Sequence, residues 1–194
     1  MSERVKNFNV SRAENKLADA VRAFNFSFLG KKVLDIGSST GGFTEYALKN
    51  GAKKVIAVEK GTKQMKAPLR FDSRIELNEK TDIFEFTIDD EKKKPDVIVA
   101  DVSFISLKDV LLYAKYRLAK PDTDFLVMLK PQFEANLKQL NKGVVKNETM
   151  RRQIIRGFEM WLKNNGFLVK NKIDNKLAGK NGNVERFYYL RVII

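Results

Sequence analysis

The chain has 194 residues, a formal net charge of +13, no cysteine and no histidine. That length suits one domain able to bury a full core without staples. The two missing residue types exclude disulfides, thiolate or histidine-held metal, and every histidine-based triad or dyad, so no metal site is expected. Proton transfer falls to Lys, Asp, Glu, Tyr or water.

No apolar run approaches the length of a membrane-spanning helix, and the polar start is not a signal peptide, so no membrane partner is expected. A cysteine-free chain suits a cytoplasmic location. Residues 1–32 hold seven Lys/Arg against three acids, residues 33–135 seventeen of each, and residues 136–194 thirteen against four. A neutral centre between basic flanks reads either as a polyanion-binding rim or as solvated lysine-rich helix faces.

In chain order, residues 1–9 form a polar N-terminal segment and 10–194 one domain. Ser11 and Glu14 have capping-box spacing before an apolar stripe of Leu17, Val21 and Phe24. A strand is expected near 32–36, a helix at 41–49 stopped by Asn50-Gly51, and a strand at 55–58 ending on Glu59. A short helix over 64–69 follows, then strands at 74–77 and 96–100, the latter ending on Asp101. Residues 105–118 suit an amphipathic helix, 125–129 a strand ending on Lys130-Pro131, and 136–147 a mobile loop. A basic helix over 148–164 and strands at 167–173 and 187–194 close the chain, the last two antiparallel at one edge. Strands alternating with helices imply an α/β fold with a mostly parallel sheet covered on both faces.

The stretch Val33 to Phe43 organises the rest. Strand, small-residue turn and helix succeed one another, and the turn of Gly37, Ser38, Ser39, Thr40, Gly41 and Gly42 lets backbone approach a ligand. A dinucleotide fingerprint would need G-x-G-x-x-G, which this spacing lacks. Asp35 inside the strand suits the amino acid end of S-adenosylmethionine, Glu59 the two hydroxyls of a ribose, and Asp82 the side of an adenine. Lys60 adjoins that site. Asp35 reads equally as a buried carboxylate capping loop amides, and Glu59 as a solvated strand end. Three acids at successive strand tips favour a site, because ligands bind outside the carboxyl ends of such strands.

The runs D-I-G-S-S-T-G-G-F-T, A-V-E-K-G, D-V-S-F-I-S-L, K-P-Q-F-E, K-G-V-V and G-N-V-E resemble the TlyA, or haemolysin A, family. The resemblance spans Ser11 to Glu185. It implies a Rossmann-like, FtsJ-like methyltransferase fold of seven strands with the last inserted antiparallel. It also implies S-adenosyl-L-methionine as cofactor, ribosomal RNA or a ribosomal subunit as partner, and methylation of a cytidine ribose 2′-oxygen. The family carries an N-terminal S4-type RNA-binding domain, and this chain is expected to begin just after its end.

The family's Lys-Asp-Lys-Glu tetrad carries over to Lys16, Asp101, Lys130 and Glu185, with Asp101 also near the cofactor. A ribose hydroxyl is a poor nucleophile, and a lysine at a buried strand tip can orient it or take its proton. On that reading Lys130 is the base or orienting group, Lys16 supplies nearby positive charge, and Asp101 and Glu185 fix the lysines. Taken singly, Lys16 reads as a surface lysine, Asp101 as a loop cap and Glu185 as a partner of Arg186. Arg12 and Phe133 are candidates to flank the substrate, Phe133 by stacking on a base, whereas Phe104 reads as core. Lys138, Lys142, Lys146, Arg151, Arg152 and Arg156 are candidates for phosphate contacts. The alternatives are a non-catalytic RNA- or ribosome-binding module and, from the haemolysin name, a membrane-active protein, for which the chain supplies no suitable segment. Oligomeric state is left open.

Overall fold

A computed structural model describes residues 12–176 and 182–193. The expected Ser11 cap, the polar segment 1–9 and the side chain of Arg12 lie outside the described residues. Five helices are described: α1 (Arg12–Phe24), α2 (Gly42–Lys49), α3 (Leu107–Tyr113), α4 (Pro131–Glu134) and α5 (Glu148–Asn164). The nine described strands are β1 (Lys32–Ile36), β2 (Lys54–Glu59), β3 (Ile75–Glu79), β4 (Val97–Ala100), β5 (Asp124–Leu129), β6 (Leu140–Asn141), β7 (Val144–Val145), β8 (Phe167–Asp174) and β9 (Arg186–Val192).

Seven strands form one sheet in the order β3-β2-β1-β4-β5-β9-β8. β1 to β5 pair in parallel, and β9 is antiparallel to both β5 and β8. The two closing strands are thus antiparallel to each other, as expected. β9 lies inside the sheet, inserted antiparallel as the resemblance implied, and of the two closing strands β8 alone is at an edge rather than both.

The alternation of side chains along each strand divides the core in two. Leu34, Ile36, Ile98, Phe125 and Val127 face α3 and α5, meeting Val110, Leu111, Phe158 and Leu162. Val33, Val97, Val99, Leu126 and Met128 face α1 and α2, meeting Leu17, Ala20, Phe43 and Ala47. Fully burying one such Leu or Phe stabilises the fold by about 1.5–3 kcal/mol. The apolar stripe expected on α1 is this second layer.

Three local expectations are corrected. Residues 64–69 form no α-helix; Pro68 restricts Ala67 before it, and a single 3-10 turn follows at Leu69–Phe71. The helix expected over 105–118 begins at Leu107, where Ser106 Oγ accepts from the Lys108 N–H at 3.2 Å, and its last turn widens into a π-turn over Ala114–Leu118. The stretch expected as a loop over 136–147 holds a turn capped by Asn136 and the β6–β7 hairpin. Asn183 pins that hairpin, accepting from the Val145 N–H and donating to the Gly143 carbonyl, each at 3.1 Å.

Candidate active site

The strand order reverses between β1 and β4, and a crevice opens there at the carboxyl ends of the strands. Gly37 leaves β1 at φ +78°, and a Cβ there would stand 3.0 Å from the Asp101 carbonyl oxygen. The turn needs glycine for both reasons. The resulting cleft has a volume of about 620 Å³ and is walled by Gly37, Ser39, Val58, Glu59, Lys60, Asp82, Ile83, Asp101 and Val102. That size suits a nucleotide-bearing small molecule.

The acids around the cleft are differently held. Glu59 Oε2 accepts from the Ser39 N–H at 2.8 Å and Oε1 from the Gly61 N–H at 2.7 Å, so the carboxylate ties the turn after β1 to the turn after β2. Asp82 accepts from Lys60 Nζ at 2.8 Å and from the Phe84 N–H at 3.1 Å, which hold its carboxyl below the usual range. Asp35 is fully buried, and its Oδ2 accepts from the Thr44 hydroxyl at 2.6 Å. Burial, reinforced by the charges of Asp101 and Glu59 and opposed by the Thr44 bonds, pushes its carboxyl up to about 7.

Asp35 Oδ1 and Ser38 Oγ are buried at the turn without a protein hydrogen bond. Buried polar atoms of this kind are costly unless a bound molecule or water satisfies them. With the glycine approach, the apolar walls and Glu59 at the β2 tip, the turn fits a ligand carrying both a charged polar end and a ribose.

Not every residue of the turn faces this cleft. Phe43 is a correction: its side chain is buried between α2 and the sheet, its ring 5.8 Å from that of Phe187, so it is core rather than a ligand contact. Thr40 and Gly42 border a separate groove with Leu48, Pro68 and Phe71 on the far side of the turn. Gly41, at φ +93°, packs beneath Leu69 and Met65.

The four tetrad positions do converge. Asp101 and Lys130 follow β4 and β5, and Glu185 precedes β9; because β9 runs backwards, its beginning reaches the edge where β4 and β5 end. Lys130 Nζ pairs with Asp101 Oδ1 at 2.5 Å and donates to Ser103 Oγ at 2.8 Å. Glu185, with only 4% of its side chain exposed, pairs with Lys16 Nζ from α1. Arg186 bonds Asp174 and Glu159 instead. The Asn175 N–H donates to the Glu185 carbonyl at 2.9 Å and prolongs the β8–β9 ladder to that point. Two lysine–carboxylate pairs, one contributed by α1, thus meet at the tips of three adjacent strands beside the cleft.

Phe104 is another correction. It is 90% exposed, stands at φ +68°, and its ring lies 5.2 Å from that of Phe133. A bulky residue held at positive φ is uncommon. Arg151 is the converse correction: it is buried, donating to the Val184 carbonyl at 3.2 Å and to Asp174 at 2.6 Å, so its guanidinium is taken up by protein partners. Lys138, Lys142, Lys146, Arg152 and Arg156 are exposed. Ser103, Glu134 and Asn183 are the site's unanticipated members. Each lies within one of the runs quoted above, Ser103 in D-V-S-F-I-S-L, Glu134 in K-P-Q-F-E and Asn183 in G-N-V-E.

The chain matches the FtsJ-like methyltransferase family over residues 9–192. It is 38% identical over 182 residues to the 23S rRNA (cytidine-2′-O)-methyltransferase TlyA of Campylobacter jejuni, covering 93% of this chain and 70% of that protein. The 16S/23S rRNA (cytidine-2′-O)-methyltransferase TlyA of Mycobacterium tuberculosis is 37% identical over 183 residues, covering 94% of this chain and 68% of that one. A solved structure from Streptococcus thermophilus, named as a hemolysin, superposes with a TM-score of 0.89 at 33% identity, covering 98% of this chain and 70% of that one. With the sheet order and the cleft at its switch point, these likenesses establish that the chain belongs to the FtsJ-like methyltransferases, within the TlyA (haemolysin A) family.

Proposed function

We propose that the chain methylates the ribose 2′-hydroxyl of a cytidine in ribosomal RNA, in the cytoplasm, with S-adenosylmethionine as donor. The observation that carries this reading is the gathering of Lys16, Asp101, Lys130 and Glu185 at strand tips beside a cleft built for a nucleotide-bearing ligand. The names of the similar TlyA proteins supply the substrate class.

Asp35, Gly37, Ser38, Ser39, Glu59, Asp82 and Asp101 would hold the cofactor, Glu59 through the ribose hydroxyls. When bound, S-adenosylmethionine supplies an electrophilic methyl group on a sulfonium. The protein's task is alignment, which is worth several kcal/mol when two reactants are held in near-attack geometry. Lys130 is ion-paired with Asp101 and donates to Ser103 Oγ. A remaining N–H of the ammonium can grip and orient the 2′-oxygen, whose proton passes to water as the methyl group is transferred. Asp101 holds the lysine in place. Lys16, steadied by Glu185, offers a second positive charge to the oxygen.

Phe104 and Phe133 stand at the entrance as a face on which the target base stacks. The exposed lysines of the β6–β7 region with Arg152 and Arg156 take phosphates. Among the described residues no helix is long and apolar enough to cross a membrane. The test is methyl transfer from labelled S-adenosylmethionine to ribosomal subunits and to naked RNA, with the modified nucleotide mapped. Label on a ribose 2′-oxygen supports the reading; label on a base or on protein overturns it.

A further inference from the structure

Glu134 closes α4, and only 3% of its side chain is exposed. Its carboxylate reaches back 27 positions to the start of α3, where Oε1 accepts from the Leu107 N–H at 2.6 Å and Oε2 from the Ser106 hydroxyl at 2.8 Å. Lys108 Nζ stands 3.7 Å away. The first N–H groups of a helix have no partner within it, so a buried carboxylate there makes charge-assisted bonds in a favourable field.

These bonds join two segments whose other members belong to the site. The first, 101–107, carries Asp101, Ser103 and the exposed Phe104. The second, 130–134, carries Lys130 and Phe133. Toward the cleft they meet through Asp101–Lys130, Ser103–Lys130 and the two phenyl rings. Those contacts lie on the side the substrate approaches, so an anchor on the opposite side keeps the segments in register as it binds. Glu134 lies behind them, out of solvent.

We infer that Glu134 is a positioning residue for methyl transfer: by anchoring Ser106 and Leu107 it fixes the Asp101–Phe104 loop against Lys130 and Phe133 while substrate binds. This rests on the proposed roles of Lys130 and Asp101. The effect belongs in kcat, because misplacing an aligned group by about 1 Å can cost 10²-fold without weakening cofactor binding.

The experiment compares wild type, Glu134→Ala, Glu134→Gln, Ser106→Ala and Lys130→Ala. Each is assayed for methyl transfer to ribosomal subunits at saturating S-adenosylmethionine, for its cofactor dissociation constant and for thermal unfolding. In Glu134→Ala, kcat should fall about 10²-fold while the cofactor constant and the KM for subunits stay within about threefold. Glu134→Gln should recover kcat to within about fivefold, because an amide oxygen still accepts from Leu107 and its NH2 still bonds the Ser106 hydroxyl. Unchanged kcat in Glu134→Ala, or a loss confined to KM, overturns the inference. So does an equal kcat loss in the Gln variant. Should Glu134→Ala not fold, Ser106→Ala decides, with a kcat loss of about threefold to tenfold supporting the anchor and an unchanged kcat refuting it. If Lys130→Ala retains full activity, the underlying reading of the site fails instead, whatever Glu134 does.

Discussion

Leu129 of β5 faces Arg186 of β9 across an antiparallel ladder, so Lys130 leaves one strand at the level where Glu185 enters the other. Side chains from distant parts of the chain are thereby set next to each other by backbone pairing. Lys130→Ala removes the nitrogen from this junction and leaves the backbone of the cleft turn in place. Methyl transfer should drop by about 10²–10⁴-fold with the cofactor dissociation constant unchanged. Single-turnover transfer to ribosomal subunits, with calorimetry for the cofactor, measures both. Undiminished transfer would remove Lys130 from the chemistry.

The two neighbouring arginines at the start of α5 should behave in opposite ways. Arg152 is exposed and Arg151 is bonded inside. Arg152→Ala should lower the slope of log affinity for RNA against log salt by about 0.7, the value for one phosphate contact on a single strand, and leave stability unchanged. Arg151→Ala should leave that slope alone and lower stability by about 1–3 kcal/mol, since the Val184 carbonyl loses its partner. Filter binding over a salt series and urea unfolding separate them. A slope change in Arg151→Ala with unchanged stability would contradict the buried placement.

Asp35 makes stability depend on pH in an unusual direction. Its carboxyl is raised to about 7 by burial, while in the unfolded chain it titrates near 3.8. Between those values the folded state keeps a proton that the unfolded state has lost. Stability is therefore greatest below the lower value, declines as pH rises to about 7, and is level above. The total for this group is roughly 4 kcal/mol. Asp35→Asn abolishes it. Urea unfolding at about pH 4 and about pH 7.5 should show wild type losing that stability relative to the variant. A difference that stays constant with pH would count against it.

Asn183 is the only described side chain bonded to both Gly143 and Val145. Asn183→Ala should cost about 1–2 kcal/mol and speed amide exchange at Val145 more than in the central strands. Exchange by NMR at that amide is the readout, and equal protection in both proteins would show that the hairpin is held by something else.

The layered sheet was legible in the sequence because its strands are short apolar runs ending on acids or lysine, and its helices repeat at 3.6. The tetrad was legible as motifs, with no physical clue to which side chains touch. What escaped reading depended on contacts far apart in the chain. Arg151 has the composition of a phosphate contact, and only the fold reveals that Asp174 and Val184 surround it. Phe104, between Ser103 and Ile105, looks like core. Its loop is tied at Asp101 to Lys130 and at Ser106 to Glu134, and between those ties the residue stands in the left-handed region facing water. The hairpin at 140–145 has too few paired residues to announce itself by periodicity, and owes its place to Asn183.

Lys16 and Glu185, which bond each other, stand 169 positions apart. β9 must pair with β5 before that bond can form, so a late part of the chain completes a pair begun by α1. During synthesis, a chain lacking β9 leaves β5 as an unpaired edge and Lys16 without its carboxylate. A fragment ending at Val184 would carry the whole cofactor turn but lack the carboxylate that Lys16 pairs with.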